Sequence, residues 1–508
     1  MFFYMISRAQ LLLGLTGLML LFAATSHSAP RPYLQQIGSQ EDVLSMAVAR
    51  NGHTFMLLSD SSLVVAGPDQ ILRPPLTHAS LLNARALAVS PSGESDDALV
   101  DLFIVTASGV NKISYNAEER TLAATTSATF AFPSGKQYLP TAITVAPDNG
   151  GNPGAIFVGG QTKPTGSSAA AQGNFLMKFN PSLVQQGATR EWGVPTTATN
   201  LASDGVNRLH AIAADASGNV YVAGQWPAVY RTDYVNYWNL LDRTPNTWSI
   251  SSLGGLSGIS STIQTSARRY FYQHWWWFIN YRTDNNELNA DAENRTAYVV
   301  KFNTTLAPAN YTHTTNLVPN YTLWATGAQG HNHSNFSDLR CVGNDVYAIG
   351  NWQGQSAYTG QTLASGRADI QVVKFSNTLG LVSKARVNAV GTTHPGYSLD
   401  ADPDTNKVYV TGVTDDAANA FVSNSGTTHK TLSGRAVFIA QLTEDLDWSG
   451  EINRSNPPAP SAFRGTRLRW NVEAKHAQVA GTFTAGQLSL GLPSQPALVP
   501  TGAVAGNV

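Results

Sequence analysis

The sequence predicts an all-β propeller, in which four-stranded antiparallel sheets repeat around a central channel. Three observations predict this fold. A hairpin of two alternating apolar strands around a turn of Asp, Asn and Gly recurs along the chain. A third strand of the form V-V-K-F-N follows several of these hairpins. The composition, with 43 Gly and only 13% charged residues, suits strands and turns better than helices.

The clearest repeat lies in residues 209–226, LHAIAADASGNVYVAGQW. Apolar residues alternate with others on both sides of residues 215–219, as half-buried strands require. Asp and Asn can bond their own backbone in that turn and Gly supplies positive φ, so we predict a hairpin. Residues 297–303 predict a third strand and residues 321–324 a candidate fourth, which together make one blade.

Seven such hairpins are present, so we expect seven blades, with six or eight as alternatives. A Gly recurs after the second strand, and we predict that it ends the strand in a tight turn. Three Trp residues fall near the proposed outer strands, and we interpret them as packing between blades. The hairpins begin near residues 44, 86, 142, 209, 339, 397 and 468; the glycines are Gly160, Gly224, Gly350, Gly412 and Gly481; the tryptophans are Trp192, Trp324 and Trp448.

The two ends of the chain suggest how the ring closes. Residues 31–38 alternate, and we predict that this N-terminal strand completes the last blade, because closure removes open sheet edges. The last blade nevertheless looks one strand short. Either residues 501–508 act as its third strand or the natural protein continues further, and we favour the second interpretation.

The repeat D-x-x-G-N-V-Y-V-x-G followed by F-V-V-K-F-N resembles the secreted bacterial seven-bladed β-propeller repeat family. Residues 215–224 with 297–303 are the most similar, and the third, fifth and sixth repeats also match. The resemblance covers most of the chain after residue 29. It implies the propeller fold and an extracytoplasmic setting, but no reaction, since fold does not fix function.

Residues 1–29 are predicted to be a secretory signal peptide. Arg8 is the only charge before an apolar run at residues 11–24, and small residues follow at 26, 28 and 29. The run is too short for a comfortable membrane span, although an uncleaved anchor is the alternative. No later stretch is apolar enough to span. We therefore expect residues 30–508 to form one propeller domain that is secreted, periplasmic or at the cell surface.

Charge and cysteine content exclude several classes of function. The formal net charge is −1, so no basic field attracts nucleic acid or anionic lipid. Cys341 is the only cysteine, and no disulfide can form within the chain. Cys341 falls in a strand pattern, so we interpret it as a buried structural thiol.

An aromatic-rich insertion, residues 227–295, interrupts the fourth blade between its second and third strands. Tyr and Trp rings provide rigid surfaces on which sugars stack, and Arg, His and Asn can add polar contacts. Alternatively, the aromatic side chains form a small core that packs the insertion on the propeller. The candidate ligand-binding residues are Trp238, Arg268, Arg269, Tyr272, His274, Trp275, Trp276 and Trp277.

Two short motifs resemble metal sites. His331 and His333 have the spacing of paired ligands, but we favour a solvated loop. Asp400, Asp402 and Asp404 alternate as at the start of a calcium loop, yet the later ligands of that loop are missing. Turn formation explains the Asp residues better, and calcium remains possible. We predict no cofactor.

No nucleophile elbow, P-loop, H-E-x-x-H or haem-attachment motif stands out. Our leading hypothesis is a non-enzymatic binding or scaffold protein for a glycan or protein partner at the cell envelope or outside the cell. The alternatives are a secreted carbohydrate-active hydrolase or lyase with its site at the channel, and the propeller part of a larger surface adhesin. Paired carboxylates at the channel would favour the enzyme.

Overall fold

The computed structural model describes most of the chain in separate ranges. These are residues 33–36, 42–69, 71–91, 99–132, 135–147, 154–165, 173–193, 208–232, 248–250, 261–263, 266–267, 287–313, 322–323, 334–353, 367–391, 398–414, 418–434, 436–454, 463–483 and 502–507. One short 3-10 helix, Ala79–Leu81, occurs in them, and no helix of this part of the chain is long and apolar enough to cross a membrane.

The first three sheets use the N-terminal part of the chain and are antiparallel throughout. The first has three strands, β2 (Val43–Val48), β3 (Thr54–Leu58) and β4 (Leu63–Ala66). The second contains β5 (Ala84–Val89), β6 (Leu99–Thr106), β7 (Gly109–Asn116) and β8 (Thr121–Thr129). The third contains β9 (Lys136–Val145), β10 (Ile156–Pro164), β11 (Gly173–Phe179) and β12 (Arg190–Gly193).

Four more antiparallel sheets follow. The fourth sheet contains β13 (Arg208–Ala214), β14 (Val220–Thr232), β18 (Glu287–Phe302) and β19 (Pro308–His313). The fifth contains β21 (Ser334–Val342), β22 (Asp345–Gln353), β23 (Arg367–Ser376) and β24 (Leu381–Gly391), extended by the hairpin β27 (Asn419–Val422) and β28 (Thr428–Leu432). The sixth contains β25 (Ser398–Ala401), β26 (Val408–Val413), β29 (Val437–Leu442) and β30 (Trp448–Arg454). The last contains β31 (Phe463–Asn471), β32 (His476–Phe483), β33 (Gly502–Asn507) and β1 (Tyr33–Gln36).

The first long strand of each sheet contacts its counterpart in the next. The contacts run from β2 to β5, β9, β13, β21, β25 and β31, and β31 in turn contacts β2. We call these seven strands the inner strands. Their cyclic order around a common centre is the arrangement of an all-β propeller, as the sequence predicts.

The predicted count of seven four-stranded blades needs correction. Six sheets have four or more strands, whereas the sheet of β2, β3 and β4 has three. In the described part of the segment after β4, backbone pairing with β4 is limited to the isolated bridges Ala66↔Leu72 and Leu63↔Leu76. Pro74 and Pro75 lie in this segment, and proline has no N–H with which to extend a ladder. The described residues therefore contain six complete blades.

The recurring glycines lie inside strands and do not end them, which corrects a second prediction. Gly224 is within β14, and Gly350 is within β22. Each faces the place where the neighbouring inner strand carries a β-bulge, at His210 or at Ser337. A Cβ on Gly224 would lie 1.9 Å from the Arg208 carbonyl oxygen, so the glycine permits the close approach that the bulge creates.

Apolar side chains from adjacent sheets fill the space between them. Trp192 on β12 packs on Phe302 of β18, with ring centroids 5.3 Å apart. Trp448 on β30 is buried, and its Nε1 donates to the Val422 carbonyl oxygen of β27 at 3.0 Å. Both residues join neighbouring sheets, as predicted. Trp324 lies outside the described residues.

The lysine of the third-strand motif joins one sheet to the next. Lys301 Nζ lies 5.4 Å from the centroid of the Tyr221 ring and donates to the Asn377 carbonyl oxygen of the following sheet. Lys178 makes the same pair of contacts, with the Phe157 ring and the Thr304 carbonyl oxygen. The lysine in V-V-K-F therefore has a structural role in the repeat.

The fourth blade differs from its predicted form. Its fourth strand is β19, whereas β20 (Thr322–Leu323) in the predicted segment pairs in parallel with β17 (Ser266–Ala267). The chain turns into β19 directly after the third strand, because Asn303 Oδ1 accepts from the N–H groups of Thr305 and Ala307. Two further short strands pair nearby, β15 (Trp248–Ile250) and β16 (Ser261–Ile263).

Two boundaries are also refined. Pairing of β14 with β18 continues past Pro227, the expected start of the insertion, to Thr232 and Glu287. At the other end of the chain, β33 pairs with both β32 and β1. Residues 502–507 therefore form the third strand of the last sheet, which is the alternative that the sequence analysis favoured less.

Candidate functional site

The inner strands surround a cavity of about 280 Å³ at the centre of the propeller. All of them contribute residues to its wall. Five of these strands have a β-bulge with one extra residue. In β31, residues 465 and 466 stand opposite the single residue 481 of β32. Bulges re-aim the side chains that follow them, so they set which residues reach the cavity.

Two rows of equivalent positions follow from this register. The first row takes from each strand the residue directly after the irregularity, and from β25, which has none, the residue at the equivalent position. The second row takes the residue two positions further along each strand. The first row, in ring order from β2, is Ser45, Ala86, Ala142, Ala211, Asp338, Ser398 and Arg467; the second is Ala47, Ala88, Thr144, Ala213, Arg340, Asp400 and Arg469.

The two rows divide the ring into unlike halves. The four strands β2, β5, β9 and β13 present only Ala, Ser and Thr at these positions. The three neighbouring strands β21, β25 and β31 present five charged residues and one serine. The small side chains leave space on one side of the cavity, and the ionic side chains face it from the other. We call the five charged residues, 338, 340, 400, 467 and 469, the ionic cluster.

Asp338 is the most enclosed member of the ionic cluster. Arg469 Nη1 lies 3.1 Å from Asp338 Oδ2, and Arg340 Nη1 lies 3.5 Å from Asp338 Oδ1. Ser398 Oγ and the Leu399 N–H also donate to Asp338 Oδ2. The carboxylate of Asp338 therefore connects side chains from all three charged strands.

Arg340 joins the two aspartates. Its Nε lies 3.5 Å from Asp400 Oδ1. Burial alone would lower the pKa of the Arg340 guanidinium, but the carboxylates of Asp338 and Asp400 leave it above its ordinary value. Burial also raises the pKa of Asp400, although Arg340 and the backbone N–H groups of Trp470 and Ala401 oppose this.

Arg467 stands at the junction of the charged and small-residue halves. Its Nε donates to the Leu44 carbonyl oxygen of β2 at 3.2 Å. Burial lowers the pKa of Arg467, but a guanidinium stays protonated at neutral pH. The cavity wall thus carries three arginine and two aspartate side chains, a formal excess of one positive charge.

The ionic cluster is within reach of solvent. The side chains of Arg340, Asp400 and Arg469 are 20%, 17% and 17% exposed. A small molecule that enters the cavity can therefore contact fixed charges that are held by hydrogen bonds on the protein side. Such preorganised polar groups beside an apolar wall are typical of ligand sites.

The aromatic candidates lie in the insertion, outside the described residues. They are Trp238, Arg268, Arg269, Tyr272, His274, Trp275, Trp276 and Trp277, and the histidines His331 and His333 also fall outside. In the described part of the chain, no group of three His, Cys, Asp or Glu side chains has the arrangement of a metal site.

The three alternating aspartates have different structural roles. Asp400 faces Arg340 in the cavity. Asp402 stabilises its own turn, where Oδ1 accepts from the Asp404 N–H at 3.0 Å and Oδ2 accepts from Thr405 Oγ1 at 2.6 Å. Asp404 pairs with Lys475 of the last sheet.

Cys341 is partly buried and packs against an apolar cluster between β13, β22 and β23. Burial raises the pKa of its thiol far above the ordinary value. A protonated thiol is a poor nucleophile, so a packing role fits this position.

Sequence reasoning missed the ionic cluster, although a signal was present. The first strands of the last three repeats read D-L-R, S-L-D and R-L-R around the buried residues Leu339, Leu399 and Leu468. The corresponding segments of the earlier repeats have small residues on either side of the apolar one. Charged residues at alternate positions of an inner strand were the available indication of a polar channel.

No family model matches the chain, and no curated protein matches it. Solved structures with similar arrangements include hydrazine synthase of Kuenenia stuttgartiensis, with 9% identity, a TM-score of 0.39, and coverage of 86% of this chain and 92% of the other. The Dos1 propeller has 9% identity and a TM-score of 0.40, with coverage of 94% and 80%. A streptogramin B lyase has 7% identity and a TM-score of 0.40, with coverage of 94% and 96%. The assignment as a propeller rests on the sheets described above.

Proposed function

We propose that this chain is a non-enzymatic binding protein whose ligand site is the central cavity. The observation that carries this proposal is the division of the inner strands into a small-residue half and a charged half. Buried ion pairs contribute little net stability compared with well-packed apolar residues. A ring held together by packing alone has no need of the ionic cluster, which favours a role in binding.

We include in the same proposal that the protein is exported and that its partner is a glycan or a protein. The apolar run at residues 11–24 and the resemblance to secreted propeller repeats support an exported protein with a glycan or protein partner. The aromatic insertion supplies a second contact surface in this proposal, through Trp238 and residues 275–277. Pairing of β1 with β33 supports closure of the ring by the N-terminal strand. A larger surface adhesin remains an alternative within this class.

A carbohydrate-active hydrolase or lyase is the second candidate. Asp338 and Asp400 both converge on Arg340, and burial raises the pKa of Asp400 as a general acid requires. However, backbone N–H groups donate to both carboxylates and Arg469 pairs with Asp338, so these interactions hold the two carboxyl groups in fixed places. This arrangement favours binding over proton transfer.

A ligand-observed NMR screen tests the proposal. The protein is mixed with small acids, neutral sugars, amines, oligosaccharides and short peptides, and saturation transfer to each compound is measured. Ala88→Phe is the test variant, because a large ring at this second-row position fills the small-residue half of the cavity. Ala123→Phe is the matched control, since Ala123 is exposed on the outer strand β8.

We expect the wild-type protein and Ala123→Phe to bind the same compounds, and Ala88→Phe to lose them. Equal binding by Ala88→Phe at unchanged melting temperature would place the site outside the cavity and contradict the proposal. New product signals that depend on Asp400 would favour the enzyme instead.

A further inference from the structure

The ionic cluster also indicates the chemical class of the ligand. This inference rests on the proposed function, because it uses the same cavity. We infer that the cavity binds the carboxylate group of a compact acid, with the acid group toward Arg467 and Arg469 and the apolar body toward the alanine-lined half.

The charge balance favours a monoanion. The cavity wall carries an excess of one positive charge, which a single carboxylate neutralises. A phosphate dianion would leave a negative excess beside Asp338 and Asp400, whose like charges oppose it at low dielectric. A cation would meet three guanidinium groups, and a neutral molecule would leave the excess charge unbalanced.

The chemistry of the donors favours a planar anion. Arg467 and Arg469 are separated by one residue on β31, so both side chains leave the same side of that strand. Guanidinium groups match the planar geometry of a carboxylate, and these bonds are stronger than those between neutral groups. The bonds of Arg469 to the Leu468 carbonyl oxygen, Ser398 and Asp338 hold that guanidinium in place before a ligand arrives.

The opposite wall limits the size of the ligand. Ala47, Ala88 and Ala213 offer methyl groups and no charge. A cavity of about 280 Å³ has the volume of about nine water molecules, at roughly 30 Å³ for each. A compact organic acid fits whole, whereas a uronate of a polysaccharide or the carboxyl terminus of a peptide can insert only its end group.

Calorimetric titration of the full chain with matched ligands tests the inference. One set shares a four- or five-carbon body and varies the head group as carboxylate, primary amide, amine and phosphate. A second set compares the free acid with an oligouronate and with peptides that have a free or an amidated carboxyl terminus. The variants are Arg467→Gln and Arg467→Lys, and the control is Arg50→Gln in the exposed turn after β2.

We expect the carboxylate to bind at least tenfold more tightly than the amide, and the amine and phosphate to bind more weakly still. Arg467→Gln should bind the carboxylate with about tenfold lower affinity and the amide with unchanged affinity. Arg467→Lys should recover part of the lost affinity, and Arg50→Gln should bind as the wild-type protein does. Tighter binding of the oligouronate or the free-carboxyl peptide than of the free acid would support the inference and identify a macromolecule as the source.

Stronger binding of the amide, amine or phosphate would overturn the carboxylate assignment and leave the cavity as a binding site. Failure of every compound to bind the folded wild-type protein would overturn both. If Arg467→Gln does not fold, discrimination between carboxylate and amide by the wild-type protein alone still decides the ligand class.

Discussion

Gly350→Ala should both destabilise the propeller and disturb the cavity. Gly350 lies on β22 opposite the bulge of β21. It pairs with Phe336, which is two residues before Asp338. A Cβ there would lie 1.8 Å from the Asn335 carbonyl oxygen, whereas real Cβ atoms stay beyond 3.0 Å. The Asn335 oxygen is a backbone atom of the strand that pairs with β22. Removing this clash therefore requires β21 to move by about 1 Å.

The magnitude follows from two contributions. Overpacking that shifts a backbone costs about 1–3 kcal/mol. A weakened ladder hydrogen bond adds about 1 kcal/mol. We therefore expect Gly350→Ala to lower the free energy of unfolding by about 2–4 kcal/mol, and to weaken ligand binding because Asp338 and Arg340 follow the bulge.

Gly343→Ala is the matched control in the same hairpin. Gly343 has φ +57°, and no atom lies within 4 Å of the place that an alanine methyl group would occupy, so alanine costs only the backbone strain of about 1 kcal/mol. Urea unfolding followed by tryptophan fluorescence measures both variants. Equal losses for the two, or unchanged binding by Gly350→Ala, would refute the role assigned to the bulge.

Three further results are expected. Leu306 is buried at φ +59°, so Leu306→Gly should be more stable than Leu306→Ala by about 1 kcal/mol in urea unfolding, the reverse of the usual order for these residues. Trp448→Phe removes the donor to the Val422 carbonyl oxygen and should cost about 1–3 kcal/mol; no loss would contradict the bond. Burial lowers the pKa of His476, so its neutral form stabilises the fold above about pH 6.5 and this contribution is lost as pH falls through the folded pKa. The melting temperature of His476→Gln should therefore fall less than that of the wild-type protein between pH 7.5 and pH 5.

The hairpin rhythm was enough to predict the fold, because alternation and turn chemistry are local properties. The turn at Asp215 illustrates this: its Oδ1 accepts from the N–H groups of Ser217 and Asn219, as the residue types predict. The lysine of V-V-K-F could not be explained in the same way, because its partner is a carbonyl oxygen in another sheet.

A second repeated turn escaped the sequence analysis. It joins the third and fourth strands and ends in a buried leucine with positive φ, where glycine would be expected. The side chain of the polar residue at its start accepts from the N–H four residues later, as Asn180 does from Val184. The leucines are Leu183, Leu306, Leu379 and Leu446, with φ between 59° and 62°. Burial between sheets overrides the backbone preference here, and only tertiary structure reveals it.

The site was less predictable than the fold for a related reason. Asp338, Asp400 and Arg469 are distant in sequence, and the ring brings them together. The aromatic insertion was easier to identify, because a departure from a repeat is visible in the sequence whereas the common centre of seven strands is not. The exchange of Ala for Arg and Asp can be read along the first strands of the repeats, but only the bulges show which of these positions are equivalent and line one cavity.

A crystal structure with the tightest-binding carboxylate tests the central claim most directly. The protein would be crystallised with ligand near its dissociation constant, in parallel with Ala88→Phe. We predict electron density for the acid inside the cavity, with a carboxylate oxygen within hydrogen-bond distance of the Arg467 or Arg469 guanidinium, and no such density in the variant. A ligand bound elsewhere on the propeller, or bound equally in both proteins, would contradict the account.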